Sequence, residues 1–257
     1  MELSCCLWAL GGDGEEQLSA VAEAGFDRID IRPDALQGTA ARNRARALGL
    51  EVNCIAAAHG LPEGVSLDNA ATTARAQEHI GEALEHGADL GADTAYLVSE
   101  WDISPGGLAC YGRAVTALAE EAAALDLKLC IEPFPDRALT TVASTLDFLQ
   151  GIGHPNLYVL FDLGHVQIAG EDPEDSIEMA GAQLGYVHLD DNDGQGDLHL
   201  PLLEGILTQE VLERTFAALH RISYPGAVSL ELSDKLPDPL GGLVGGRKLT
   251  EPLLGSD

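Results

Sequence analysis

The stretch Lys128-Leu129-Cys130-Ile131-Glu132, followed after one helical segment by Leu157-Tyr158-Val159-Leu160-Phe161-Asp162-Leu163-Gly164-His165, decides the reading of this chain. Each part is a short apolar run rich in strand formers that ends on an acid. Residues 141–151 between them carry helical spacing. Strand, helix, strand in that order describes two parallel neighbours joined by a crossover.

The unit recurs in both directions. Further strands are expected at 3–8, 28–32, 51–57 and 94–98, and then at 185–189 and 227–232, which makes eight. Helical segments near 15–24, 39–48, 69–90, 108–126, 174–183 and 208–221 alternate with them. Asp68, Thr140 and Asp172-Pro173 stand where the third, fifth and sixth helices should open. Eight such units in 257 residues favour a closed (β/α)8 barrel, a fold of ~250 residues, over an open doubly wound sheet. No G-x-G-x-x-G follows the first strand, which weakens a dinucleotide-binding version of the open sheet. Residues 1–257 read as one domain. The tail from Lys235, with Gly241-Gly242 and Gly245-Gly246, reads as a loop, so the last helix is expected to be weak or missing.

Composition narrows the function. Hydrophobic residues make up 46% of the chain, enough for a sizeable core. No run approaches the ~20 apolar residues of a membrane span. Met1-Glu2-Leu3-Ser4 carries no basic segment, so no secretory signal is read and the cytoplasm is expected. Cys5, Cys6, Cys54, Cys110 and Cys130 form no C-x-x-C and read as buried free thiols. The net charge of −28, from 42 acids against 14 bases, repels polyanions, so no nucleic-acid partner is expected.

In a barrel the chemistry sits at the C-terminal ends of the strands. The fifth run delivers Glu132, the sixth Asp162 and then His165, the seventh His188 and the eighth Glu231. One acid ending a strand is usually solvated. Four successive strands ending this way would crowd charge into one mouth unless a divalent cation offsets it. Three carboxylates and an imidazole suit Mn2+, Mg2+, Co2+ or Zn2+. The loop after the seventh run supplies Asp197 and His199, which with His165 read either as ligands of an additional metal or as an acidic Gly-rich loop. His59 either lines the pocket or caps the third strand. Trp8 and Trp101 follow the first and fourth strands and either wall a substrate pocket or pack the barrel mouth.

At Ile131-Glu132-Pro133, Phe161-Asp162-Leu163-Gly164-His165, Val187-His188-Leu189-Asp190, Asp197-Leu198-His199-Leu200-Pro201 and Leu230-Glu231 the chain resembles the xylose isomerase-like TIM-barrel superfamily. That group holds sugar isomerases and epimerases and the endonuclease IV enzymes. The resemblance covers about residues 3 to 233. It implies a divalent metal on Glu132, Asp162, His188 and Glu231, proton transfer by Glu132 and Glu231, and substrate contact by His165. It also implies a small-molecule substrate and a homo-oligomer. A metal that chelates a hydroxy-carbonyl acidifies the shared C–H, and paired carboxylates can then move the proton through an enediolate.

The expected activity is therefore a metal-dependent sugar isomerase or epimerase. The alternative is a dehydratase of a cyclic hydroxy-ketone on the same scaffold, and an endonuclease IV-like nuclease is less favoured. The fourth run ends Ser99-Glu100 where that nuclease group has a His. The chain also departs from the family at Leu203-Glu204-Gly205, and it has no Arg or Lys between 138 and 213 to clamp a sugar. Arg32 and Arg137 are the only basic residues near strand ends available to replace that clamp.

Overall fold

The computed structural model describes residues 1–12 and 14–255. Among them, eight parallel strands close into a barrel in sequence order. They are β1 (Glu2–Cys6), β2 (Arg28–Ile31), β3 (Glu51–Ala56), β4 (Thr94–Val98), β5 (Lys128–Glu132), β6 (Leu157–Asp162), β7 (Leu184–Leu189) and β8 (Ala227–Leu230). The helices are α1 (Gly14–Glu23), α2 (Thr39–Ala47), α3 (Thr73–Asp89), α4 (Pro105–Ala124), α5 (Val142–Ile152), α6 (Leu163–Ile168), α7 (Pro173–Ala180), α8 (Gln209–Arg221) and α9 (Pro239–Thr250). None of the described helices is long and apolar enough to cross a membrane.

Alternation along each strand sorts side chains between two cores. Ile29, Ile55, Leu97, Ile131, Phe161 and Val228 face outward and pack under the helices. Cys54, Ala56, Tyr96, Cys130, Leu160 and Tyr186 fill the barrel interior. All five cysteines are free and buried.

Register then sets the height of the strand-end residues. Val98 pairs with Glu132, Asp162 with His188, and Leu189 with Leu230. The Glu231 N–H donates to the Leu189 carbonyl. Asp162 and His188 are therefore side by side, and Glu231 follows the Leu189–Leu230 pair by one residue. Alternation turns Asp30 inward between Ile29 and Ile31, and a register shift between Ile29 and Asp30 sets it opposite Cys54.

Three sequence expectations change. The last helix is formed: α9 opens on Asp238, whose Oδ1 accepts the Gly241 N–H at 2.9 Å, with Pro239 in its first turn. Its glycines allow close approach. A Cβ on Gly246 would lie 2.8 Å from Leu230 Cδ1, and one on Gly242 would lie 2.9 Å from Leu232 Cδ1. The helix lies so close to the barrel that side chains there would hold it off.

The third helix opens at Thr73, not at Asp68. Asp68 instead accepts the Trp101 and Asp102 N–H groups at 3.2 and 2.9 Å and ties two loops together. The fifth helix is capped by Thr141, not Thr140, in a reciprocal box with Ser144.

Candidate metal centre

Glu132 and Asp162 end their strands, His188 is the last residue but one of β7, and Glu231 follows β8 by one residue. All four are buried. One ligand atom from each lies within 4.8 Å of the others. His188 Nδ1 stands 2.8 Å from Glu231 Oε2, 3.8 Å from Glu132 Oε1 and 4.0 Å from Asp162 Oδ2.

Asp162 does two things. As N-cap of α6 its Oδ1 accepts the His165 N–H at 2.7 Å, while its Oδ2 is buried with no hydrogen-bond partner. The short α6 carries no periodic signal of its own, and it turns His165 back over the cluster. His165 Nδ1 reaches Glu132 Oε1 at 3.5 Å, and its Nε2 reaches Asp197 Oδ1 at 3.3 Å. Gly164 makes this turn possible, because a Cβ there would meet Asp190 Oδ1 at 2.3 Å. Its own N–H donates to that oxygen at 2.9 Å.

The loop after β7 divides its acids by role. Asp190 pairs with His199 Nδ1 at 3.0 Å, and Asp197 Oδ1 stands 3.1 Å from His199 Nε2. His165, Asp197 and His199 thus form a second group of metal-binding type beside the first. Asp191 accepts the Asn192, Gly205 and Leu207 N–H groups at 2.8, 2.7 and 2.9 Å. It pins the loop and faces no ligand.

Sequence reading missed Asp30. This fully buried carboxylate accepts Ser4 Oγ at 2.9 Å and the Tyr186 hydroxyl at 2.6 Å. His188 Nε2 lies 3.6 Å away, opposite the ring nitrogen that faces the cluster. A carboxylate behind a histidine fixes its ring and tautomer for a metal. The available signal was an acid flanked by Ile29 and Ile31, which places it on the interior face.

The predicted pocket residues separate. Trp8 Nε1 donates to Glu231 Oε1 at 3.0 Å. His59 lines a cavity of about 370 Å3 together with Glu132, His165, His199 and Glu231. Trp101 is 60% exposed and carries the Arg137 guanidinium 3.8 Å over its ring. The wall around His188 is Tyr96 and Tyr186, both edge-on, with ring centroids 5.3 and 5.7 Å away.

The electrostatics show an excess of negative charge. Burial pushes the Glu132 carboxyl up. Burial, reinforced by Asp190, raises Asp162 to about 7. Burial disfavours the His165 cation, but Asp162 and Asp197 outweigh it and hold its pKa at about 10. His188 is likewise raised by Glu231 against the effect of burial. Glu231, though buried, is held down to about 2 by His188 and His199.

Protons on the imidazoles thus compensate a crowd of carboxylates. A divalent cation would do the same for the first group. Buried Asp162 Oδ2 has no hydrogen-bond partner to lose to it, and a shared cation would replace the 2.8 Å contact of His188 Nδ1 with Glu231 Oε2. The residues therefore fit a divalent ion. The oxygen-rich donor set with one nitrogen does not single out one metal.

Comparison with known proteins agrees with this architecture. The chain is 36% identical over 94 residues to the uncharacterized protein MJ1311 of Methanocaldococcus jannaschii, which covers 35% of the chain and 31% of that protein. It is 27% identical over 233 residues to the D-psicose 3-epimerase of Agrobacterium fabrum, over 83% of this chain and 77% of that one. The crystal structure of D-allulose 3-epimerase from Methylomonas sp. superposes with a TM-score of 0.84 at 19% identity, over 99% and 98% of the two chains, and shows a shared fold. A family profile described as xylose isomerase-like TIM barrel matches residues 18–249, so the chain belongs to that family.

Proposed function

We propose that the chain is a divalent-metal-dependent epimerase or isomerase of a small ketose or related hydroxy-carbonyl compound. The observation that carries this reading is the placement of two buried carboxylates, Glu132 and Glu231, beside one histidine. They lie 3.8 and 2.8 Å from His188 Nδ1. A site that only bound a sugar would have no use for two acid–base groups at one carbon. The names of the Agrobacterium and Methylomonas relatives direct the reading to C3 of a ketose.

In this reading Glu132, Asp162, His188 and Glu231 hold the cation. When bound, the cation supplies Lewis-acid polarisation of a carbonyl and its neighbouring hydroxyl. One of the two glutamates takes the C–H proton, leaving an enediolate, and the other gives a proton to the opposite face. The Trp8 N–H fixes the Glu231 carboxylate. His165, held by Asp162 and Asp197, faces the substrate oxygens. His59 contributes to the pocket wall, and Trp101 supports Arg137 at its rim. His165, Asp197 and His199 serve substrate and loop, with a single cation in the first group.

The test is deuterium incorporation from D2O at C3 of D-fructose, read by mass spectrometry on metal-loaded protein. Metal-dependent incorporation is expected. Its absence with every ketose tried would sink the assignment. Loss of water with a new conjugated-carbonyl absorbance would move it to the dehydratase. Elemental analysis should find a single equivalent of metal, lost in Asp162→Ala. A second equivalent would assign His165, Asp197 and His199 as ligands.

A further inference from the structure

The cavity of about 370 Å3 that opens onto Glu132 and Glu231 is also lined by two arginines, Arg32 and Arg137. In a chain with 42 acids and 14 bases, a cation has many potential partners. The described salt bridges to arginine engage Arg28, Arg214, Arg221 and Arg247, not Arg137 or Arg32. The nearby carboxylate of Glu100 uses Oε1 to accept the Leu67 N–H at 2.8 Å.

Arg137 is nonetheless held in place. Its guanidinium lies 3.8 Å over the Trp101 ring and 5.3 Å from the centre of Phe134. Nη1 makes a long contact of 3.4 Å with the Ser99 carbonyl, and the buried Nε has no partner. Phe134 in turn packs 4.4 Å from the His165 ring, so one aromatic side chain separates the guanidinium from the acid cluster. Stacking occupies the faces of a guanidinium and leaves its N–H edge open. That edge matches a carboxylate through two parallel hydrogen bonds, whereas a sugar hydroxyl needs no such cation.

We infer that the pocket takes a hydroxy-ketone bearing a carboxylate, and that Arg137 is the specificity-determining residue that clamps it. The ketone end of this substrate rests on the epimerase reading; the carboxylate end rests on Arg137 alone. Arg32, 5.0 Å from the centre of the Trp8 ring, is the second cation of the pocket.

The test compares D-fructose with D-fructuronate, which differ only in a terminal CH2OH or carboxylate. Calorimetric binding to Mn2+-loaded protein is expected to favour D-fructuronate by about tenfold or more. Arg137→Gln should collapse that ratio, Arg137→Lys should keep part of it, and Arg137→Glu should push it below that of Gln. Equal binding of the two sugars by the wild type, or a ratio unchanged in Arg137→Gln, overturns the inference. So does a ratio that falls only in Arg32→Gln, or tighter binding of D-fructose 6-phosphate than of D-fructuronate. Deuterium exchange at C3 separates the two readings. Exchange with charge-blind binding sinks the carboxylate clamp and keeps the epimerase. A charge-selective ratio without exchange does the reverse.

Discussion

At the scale of single residues, the division of labour between ligand and support is the point of interest. Glu231 touches His188 on one side and receives the Trp8 N–H on the other, so its carboxylate is fixed before any substrate arrives. Replacing it with Gln keeps the shape and removes the base. A loss of about 10²- to 10⁴-fold in kcat is expected, with unchanged circular dichroism. Activity surviving in that variant would remove Glu231 from proton transfer. Asp30 acts one shell further out, behind His188. Asp30→Asn should weaken metal binding about 10- to 100-fold, read by competition with a fluorescent chelator. Affinity equal to the wild type would make Asp30 a packing residue only.

Elements explain why those residues meet. Parallel pairing of Asp162 with His188 and of Leu189 with Leu230 brings the ends of β6, β7 and β8 side by side. The short α6 then folds His165 back over them, with Asp162 as its cap. At the far end of the chain, α9 depends on two glycines facing the barrel. Gly246→Val should destabilise the protein by about 1–3 kcal/mol, because the new side chain would meet Leu230. Gly245 has open space around its would-be Cβ, so Gly245→Ala should be neutral or add about 0.5–1 kcal/mol through helix propensity. Urea denaturation distinguishes the two, and equal effects would contradict the close packing of α9.

For the whole molecule, the net charge of −28 and the acid-rich barrel mouth act in the same direction. Both raise the local concentration of cations and disfavour polyanions. A ligand that binds only the folded state stabilises it in proportion to the logarithm of its concentration. Divalent metal at a hundred times its Kd should therefore add about 2.7 kcal/mol and raise Tm. Chelation should reverse the shift, and Asp162→Ala should abolish it. A Tm indifferent to metal in the wild type would contradict a folded-state cation site.

The sequence by itself determined the strand–helix alternation, the barrel it implies, and the identity of the acids and histidines that end β5 to β8. It could do so because burial of an alternating or helical face is a local property, written in residue periodicity. Tertiary structure alone decided what lies behind and around those residues. Asp30 meets His188 across 158 positions of chain (188 − 30) only because the barrel closes around both. Asp190 and Asp191 are neighbours, yet one faces His199 and the other pins a loop. The glycines of α9 read as helix breakers along the chain and act as contact points in the fold. Arg137 comes to rest on Trp101 only when two loops of the barrel mouth are brought together. Register, facing direction and close approach depend on partners remote in sequence, and no window along the chain contains them.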